Sequence, residues 1–105
     1  MIITIIIKKD GRKVLCIERD MREPDRIVGE LLQPGGVGHL TRLGLKNTLE
    51  GIDAATIEGY SVFTPEDKVK IPYPMDSEGK PYLGRAFHHG RFIMNLRRAC
   101  IESPK

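Results

Sequence analysis

Residues 8–18, Lys-Lys-Asp-Gly-Arg-Lys-Val-Leu-Cys-Ile-Glu, decide how the rest of the chain is read. An isoleucine-dense run, Met1–Ile7, comes before them, and the apolar run Val14–Ile17 lies inside them. Two readings are open. In one, both runs are strands of a hairpin, because Asp-Gly suits a type I′ turn, in which both central residues need positive φ. In the other, Gly11 ends a helix and Val14–Ile17 is the buried parallel strand that follows it, finishing on the acid Glu18.

Working outward, residues 18–30, ERDMREPDRIVGE, carry five acids, three arginines and a proline with no apolar stripe, and they read as an irregular segment. Leu31-Leu32-Gln33-Pro34-Gly35-Gly36 then opens a helix whose stripe is Val37, Leu40, Leu43 and Leu45, with Gly44 as its stop. The two glycines fall at its N-terminus, where free backbone N–H groups can hold an anion or a carbonyl. A second short helix is expected over Lys46–Glu50. A strand from Ile57 to Phe63 turns at Pro65-Glu66-Asp67 and returns over Val69–Ile71. Pro72-Tyr73-Pro74 stops that ladder, and a polar loop leads to a last helix with Phe92, Leu96 and Cys100 on one face.

The chain's 105 residues allow one small domain. At 40% hydrophobic and 30% charged the composition is globular, and 17 basic against 14 acidic residues, interleaved, gives +3, which does not favour nucleic acid as a partner. Cys16 and Cys100 are far apart and belong to no CxxC, so a disulfide framework or structural zinc is not expected; both read as buried, reduced thiols. The seven-residue run at Met1–Ile7 is far short of a membrane span and lacks the features of a secretory signal.

Three patterns could carry chemistry. An acid closing a short apolar strand, as Glu18 does, can accept hydrogen bonds from the vicinal hydroxyls of a ribose. The G-x-G-x-x-G turn that accompanies such an acid is not in the sequence. Arg19, Arg26, Arg91, Arg97 and Arg98 could bind phosphate or pair with neighbouring acids. His88-His89 point to opposite sides if extended, which suits a structural role better than shared metal ligation, and no metal site is expected.

The strings Ile17-Glu18-Arg19-Asp20, Glu23-Pro24-Asp25-Arg26-Ile27-Val28-Gly29-Glu30, Leu32-Gln33-Pro34-Gly35-Gly36, Ile71-Pro72-Tyr73-Pro74 and the stretch from Gly84 to Met94, GRAFHHGRFIM, resemble the squalene monooxygenase (squalene epoxidase) family. The resemblance runs from about Asp10 onward. It implies an α/β fold: residues 1–105 as part of a Rossmann-like FAD-binding domain, without its first strand and glycine-rich turn, and with a β-hairpin excursion. It implies FAD as cofactor, with Glu18 on the ribose, Arg19 by the adenosine, and Arg26, Leu31 and Arg97 as further contacts; the family often has Phe where Leu31 stands. Tyr60 would lie at the substrate end of the pocket with Gln33 as its hydrogen-bond neighbour.

The implied reaction is epoxidation of squalene to 2,3-oxidosqualene with dioxygen, in sterol biosynthesis, using NADPH-derived electrons from a partner reductase. The implied setting is the cytosolic face of the endoplasmic reticulum membrane, reached through segments outside this sequence. Without the glycine turn, the expectation is a truncated piece that is inactive alone and binds FAD weakly. The alternative is a small, non-catalytic basic module that binds an anionic partner through Arg91, Arg97 and Arg98.

Overall fold

A computed structural model describes residues 2–103. Helix α1 (Ile2–Lys9) is followed by an irregular stretch, strand β1 (Leu31–Leu32), helix α2 (Pro34–Arg42) and a short 3-10 turn (Lys46–Leu49). Strands β2 (Ala55–Ile57), β3 (Gly59–Phe63), β4 (Lys68–Pro72) and β5 (Gly84–Ala86) lead to helix α3 (His89–Glu102).

The isoleucine run is therefore a helix and not a hairpin strand. Gly11 ends it at φ 76°, and Arg12 N–H reaches back to the Ile7 carbonyl at 3.3 Å, the closing bond of a glycine C-cap. β-branched residues are weak helix formers, but burial decides here: Ile5 joins Leu40 and Leu45 in the core, with Phe92, Ala99 and Cys100 of α3 packed against them.

Val14–Ile17 is the larger correction. It forms no strand, and Leu15 and Ile17 are 84% and 87% exposed, as is Cys16 against the expectation of a buried thiol. A strand exists only where its N–H and C=O groups find a ladder, and among the described residues none lies alongside this stretch. Cys100, on α3, is half-buried.

Most other elements lie close to where the sequence placed them, but the single strand expected from Ile57 to Phe63 is broken at Glu58: Ile57 ends a strand of one sheet and Gly59 opens a strand of the other. Pro34 opens α2, a position that needs no N–H, and Gly44 at φ 71° closes it, with Leu45 N–H on the Leu40 carbonyl at 2.8 Å. The strands form two small antiparallel sheets: β1-β5-β2, with Leu32 opposite Arg85 and Ile57 opposite Gly84, and the hairpin β3-β4, with Tyr60 opposite Ile71. The chain is thus α/β, of a kind compatible with part of a larger domain. α3 begins earlier than its apolar stripe, because His88 caps it: the imidazole Nδ1 accepts from Arg91 N–H at 3.4 Å.

Candidate functional site

The irregular residues 18–28 lie across α3 and enclose a cavity of about 540 Å³ with it, lined by Glu18, Arg19, Arg22, Arg26, His89 and Arg97 among others. Regular structure does not hold this segment in place. Arg97 does, from the middle of α3. Its Nη1 donates to the Arg22 carbonyl at 2.7 Å and its Nη2 to the Asp20 carbonyl at 3.0 Å, while Glu18 Oε2 stands 3.5 Å from Nη2. The side chain is 8% exposed, so these are desolvated, charge-assisted contacts, and the planar guanidinium fits two carbonyls at once.

A second contact depends on Gly90. A Cβ there would lie 2.4 Å from the Pro24 carbonyl oxygen and 2.8 Å from Glu23 Cγ. Only glycine lets the segment come this close to the first turn of α3. Glu23 also faces His88 Nδ1 at 3.7 Å.

The cavity's electrostatics are mixed and local. The Glu18 carboxyl is held below its ordinary value, chiefly because Asp20 N–H donates to it at 3.1 Å, with the Arg97 charge adding to the effect. Asp20 is likewise lowered, first by the Arg22 guanidinium at 2.7 Å and then by Arg22 N–H. Arg97 Nε is buried with no hydrogen-bond partner. The half-exposed Glu18 carboxylate stands in the same cavity as the exposed Arg19 and Arg26, a set that can accept from hydroxyls and hold an anionic group together.

Of the residues expected at a cofactor, Glu18, Arg19, Arg26 and Arg97 line this one cavity. Leu31 does not; it sits on β1 opposite Ala86, with its side chain partly exposed. The trio Arg91, Arg97 and Arg98 does not form a shared basic face. Arg97 is turned inward onto carbonyls, Arg91 pairs with Asp53, and only Arg98 is left exposed without such a contact in view. Of the three, Arg97 is therefore turned away from any such face.

Gln33 and Tyr60 meet elsewhere. Gln33 is the N-cap of α2 but makes no side-chain cap; its amide instead donates to the Tyr60 hydroxyl. Behind Tyr60 lies Tyr73, ring centroids 5.4 Å apart and planes at 83°. Gln33 and Tyr73, with Pro34, Pro74 and Tyr82, border a second cavity of about 660 Å³. Sequence reasoning passed over Tyr73 and Gly90. A lone tyrosine between two prolines carries no periodicity, and the need for glycine at 90 comes from a segment more than sixty residues away.

The α/β fold thus sets a cleft held by a buried arginine, with an acid at its rim, apart from a tyrosine–glutamine pair whose glutamine borders the second cavity. No protein-family model matches it. Curated proteins do. The chain is 52% identical over 96 residues to squalene epoxidase of Schizosaccharomyces pombe, covering 91% of this chain and 21% of that protein. It is 54% identical over 101 residues to squalene monooxygenase of Mus musculus, covering 94% and 18%. It is 49% identical over 96 residues to squalene epoxidase 3 of Arabidopsis thaliana, covering 91% and 18%. The chain belongs to the squalene monooxygenase, or squalene epoxidase, family and spans about a fifth of the length of the curated relatives it matches.

Proposed function

We propose that this chain supplies one wall of the FAD site, and the substrate-end tyrosine, of a squalene-epoxidising monooxygenase of sterol biosynthesis. The observation that carries the reading is the convergence of Glu18, Arg19, Arg26 and Arg97 on one cavity, with Arg97 Nε buried and unsatisfied. Glu18, kept ionised by Asp20 N–H, would accept from the ribose hydroxyls. Arg19 would lie by the adenosine, with Arg26 and Arg97 as further contacts along the same cavity. Bound and reduced, FAD supplies the dioxygen-activating chemistry that an apolar alkene needs, its electrons coming from NADPH through a partner reductase.

Tyr60, with Gln33 on its hydroxyl, would face the substrate end, where the protein's task is to orient squalene and exclude water. The parallel Rossmann sheet of the family, and its seat at the cytosolic face of the endoplasmic reticulum membrane, are part of the same proposal. Among the described residues no helix is long and apolar enough to cross a membrane.

The test is a titration of the chain with FAD, followed by flavin fluorescence quenching. Weak binding is expected, because the sequence carries no G-x-G-x-x-G turn. Glu18→Ala should weaken it by about tenfold, the scale of one charge-assisted hydrogen-bond pair. Binding that Glu18→Ala leaves unchanged would remove the ribose assignment.

A further inference from the structure

We propose that His89 is a ligand-binding residue of the cavity between residues 18–28 and α3, its imidazole donating to a diphosphate oxygen of a bound adenine dinucleotide. The inference rests on the proposed reading of Glu18 as the ribose contact and extends it along the same cavity.

The adjacent histidines at the start of α3 have separate tasks. His88 is occupied by the fold: its Nδ1 accepts from Arg91 N–H at 3.4 Å and faces Glu23 at 3.7 Å, and its own N–H donates to the Ile52 carbonyl at 2.9 Å. His89 is not. It is the first residue of α3, half-buried, and among the described residues its imidazole has no hydrogen bond or ion pair. Its backbone is nevertheless fixed on both sides, by the His88 cap before it and by Gly90, packed under the Pro24 carbonyl, after it. Beside the ring lies Gly29, in the left-handed region at φ 63°; a Cβ there would stand 3.9 Å from His89 Nδ1, and glycine leaves that space open. A polar ring held in place, bordering a cavity and spent on nothing inside the chain, is available to a ligand.

The ligand's chemistry follows from the floor of the cavity. His89, Ile93 and Arg97 all line it, and their recurrence at every fourth residue puts them on one face of α3. At about 1.5 Å of rise per residue, the first and last are about 12 Å apart. Glu18 stands at the Arg97 end, its Oε2 3.5 Å from Nη2, and Arg97 itself is engaged by the Asp20 and Arg22 carbonyls. Ile93 is an apolar rung between. A ligand whose ribose lies on Glu18 and that runs along α3 therefore meets His89 as the next polar side chain of the floor. In an adenine dinucleotide the group that follows the ribose is the diphosphate, and an imidazole N–H suits a phosphate oxygen. The acids of the facing wall do not oppose this: Asp20 pairs with Arg22 and Glu23 faces His88, which leaves Asp25 against the exposed Arg19 and Arg26.

The test is an NMR titration of the 105-residue chain, ¹⁵N-labelled in its imidazoles, with adenosine and with ADP. The His89 ring nitrogens should shift with ADP and remain in place with adenosine. His89→Leu should lower ADP affinity about tenfold, the scale of one hydrogen bond to a charged group, and leave adenosine affinity unchanged. His89→Gln, which keeps an N–H donor, should retain most of that affinity. Glu18→Ala, by contrast, should weaken both ligands alike. Ring nitrogens that ADP does not move would overturn the inference independently of any variant, as would an ADP affinity that falls less than about threefold in His89→Leu. If His89→Leu leaves ADP binding unchanged while Glu18→Ala weakens adenosine, the ribose reading stands without His89; in the reverse case the ribose reading falls and His89 remains a phosphate contact. Binding of neither ligand would overturn both.

Discussion

Replacing Arg97 with methionine should release residues 18–28 while leaving the helix that carries Arg97 in place, since methionine is a good helix former of similar length. Two hydrogen bonds from the guanidinium are lost, to the Arg22 and Asp20 carbonyls at 2.7 and 3.0 Å. Bonds to charged groups contribute about 1.5–3 kcal/mol each net of water. The released carbonyls sit in an exposed segment and are rehydrated, and methionine avoids the cost of burying a cation, so a combined loss of about 2.5 kcal/mol is the working figure. That raises the open population of the segment about 70-fold.

Limited trypsin digestion reads this directly, because the bond after Arg22 is cut through the very carbonyl that Arg97 holds. When opening is fast relative to cleavage, the cutting rate follows the open population. Cutting after Arg22, normalised to cutting after the exposed Arg12, should rise by roughly the same factor. A ratio that changes less than about threefold would mean that Arg97 does not hold the segment, and the cavity would lose its structural basis. Arg97→Lys, which reaches one carbonyl but cannot fork, should fall between the two.

Three further outcomes follow from the same contacts. Gly90→Ala forces a methyl against the Pro24 carbonyl and should destabilise by about 1–3 kcal/mol in urea unfolding, whereas Gly35→Ala, with nothing within 4 Å, should stabilise α2 by a few tenths to about 1 kcal/mol. Glu18 and Asp20 have folded-state pKa values below their ordinary 4.5 and 3.8, so the stability they contribute is present above those values and lost as pH falls through the lowered ones; the urea midpoint should drop there, and less so in Glu18→Gln/Asp20→Asn. Tyr73, pushed up to about 12 by Tyr60 and by burial, works in the opposite sense: its contribution is intact below about 10 and disappears as pH rises toward 12, a loss that circular dichroism should show in the wild type and not in Tyr73→Phe.

Local signals in the sequence translated well into structure. The Pro34 start and Gly44 stop of α2, the turn between β3 and β4, and the apolar face of α3 are each written in a few adjacent residues. The first eighteen residues show where such reading fails. Asp10-Gly11 serves a hairpin or a helix end equally well, and the choice fell to Ile5, whose burial against α2 and α3 has no local signature. Val14–Ile17 looked like a strand by composition, yet a strand depends on a neighbour, and composition does not provide one. At the site, the residues brought by family resemblance fell into two separate groups, Glu18 with Arg97 and Gln33 with Tyr60. What shapes the first group, Gly90 beneath residues 23 and 24, acts across a long sequence separation and leaves no pattern to read.

The bare stretch at Val14–Ile17 has a practical consequence for handling the chain. Four successive apolar residues with both backbone edges open form an adhesive strip, able to zip onto the same strip of another molecule. Lys13 on one side and Glu18 and Arg19 on the other act as gatekeepers, but their charges are screened as salt rises. Light scattering should therefore show this protein growing stickier with added salt, and a single lysine in place of Leu15 should keep it dispersed.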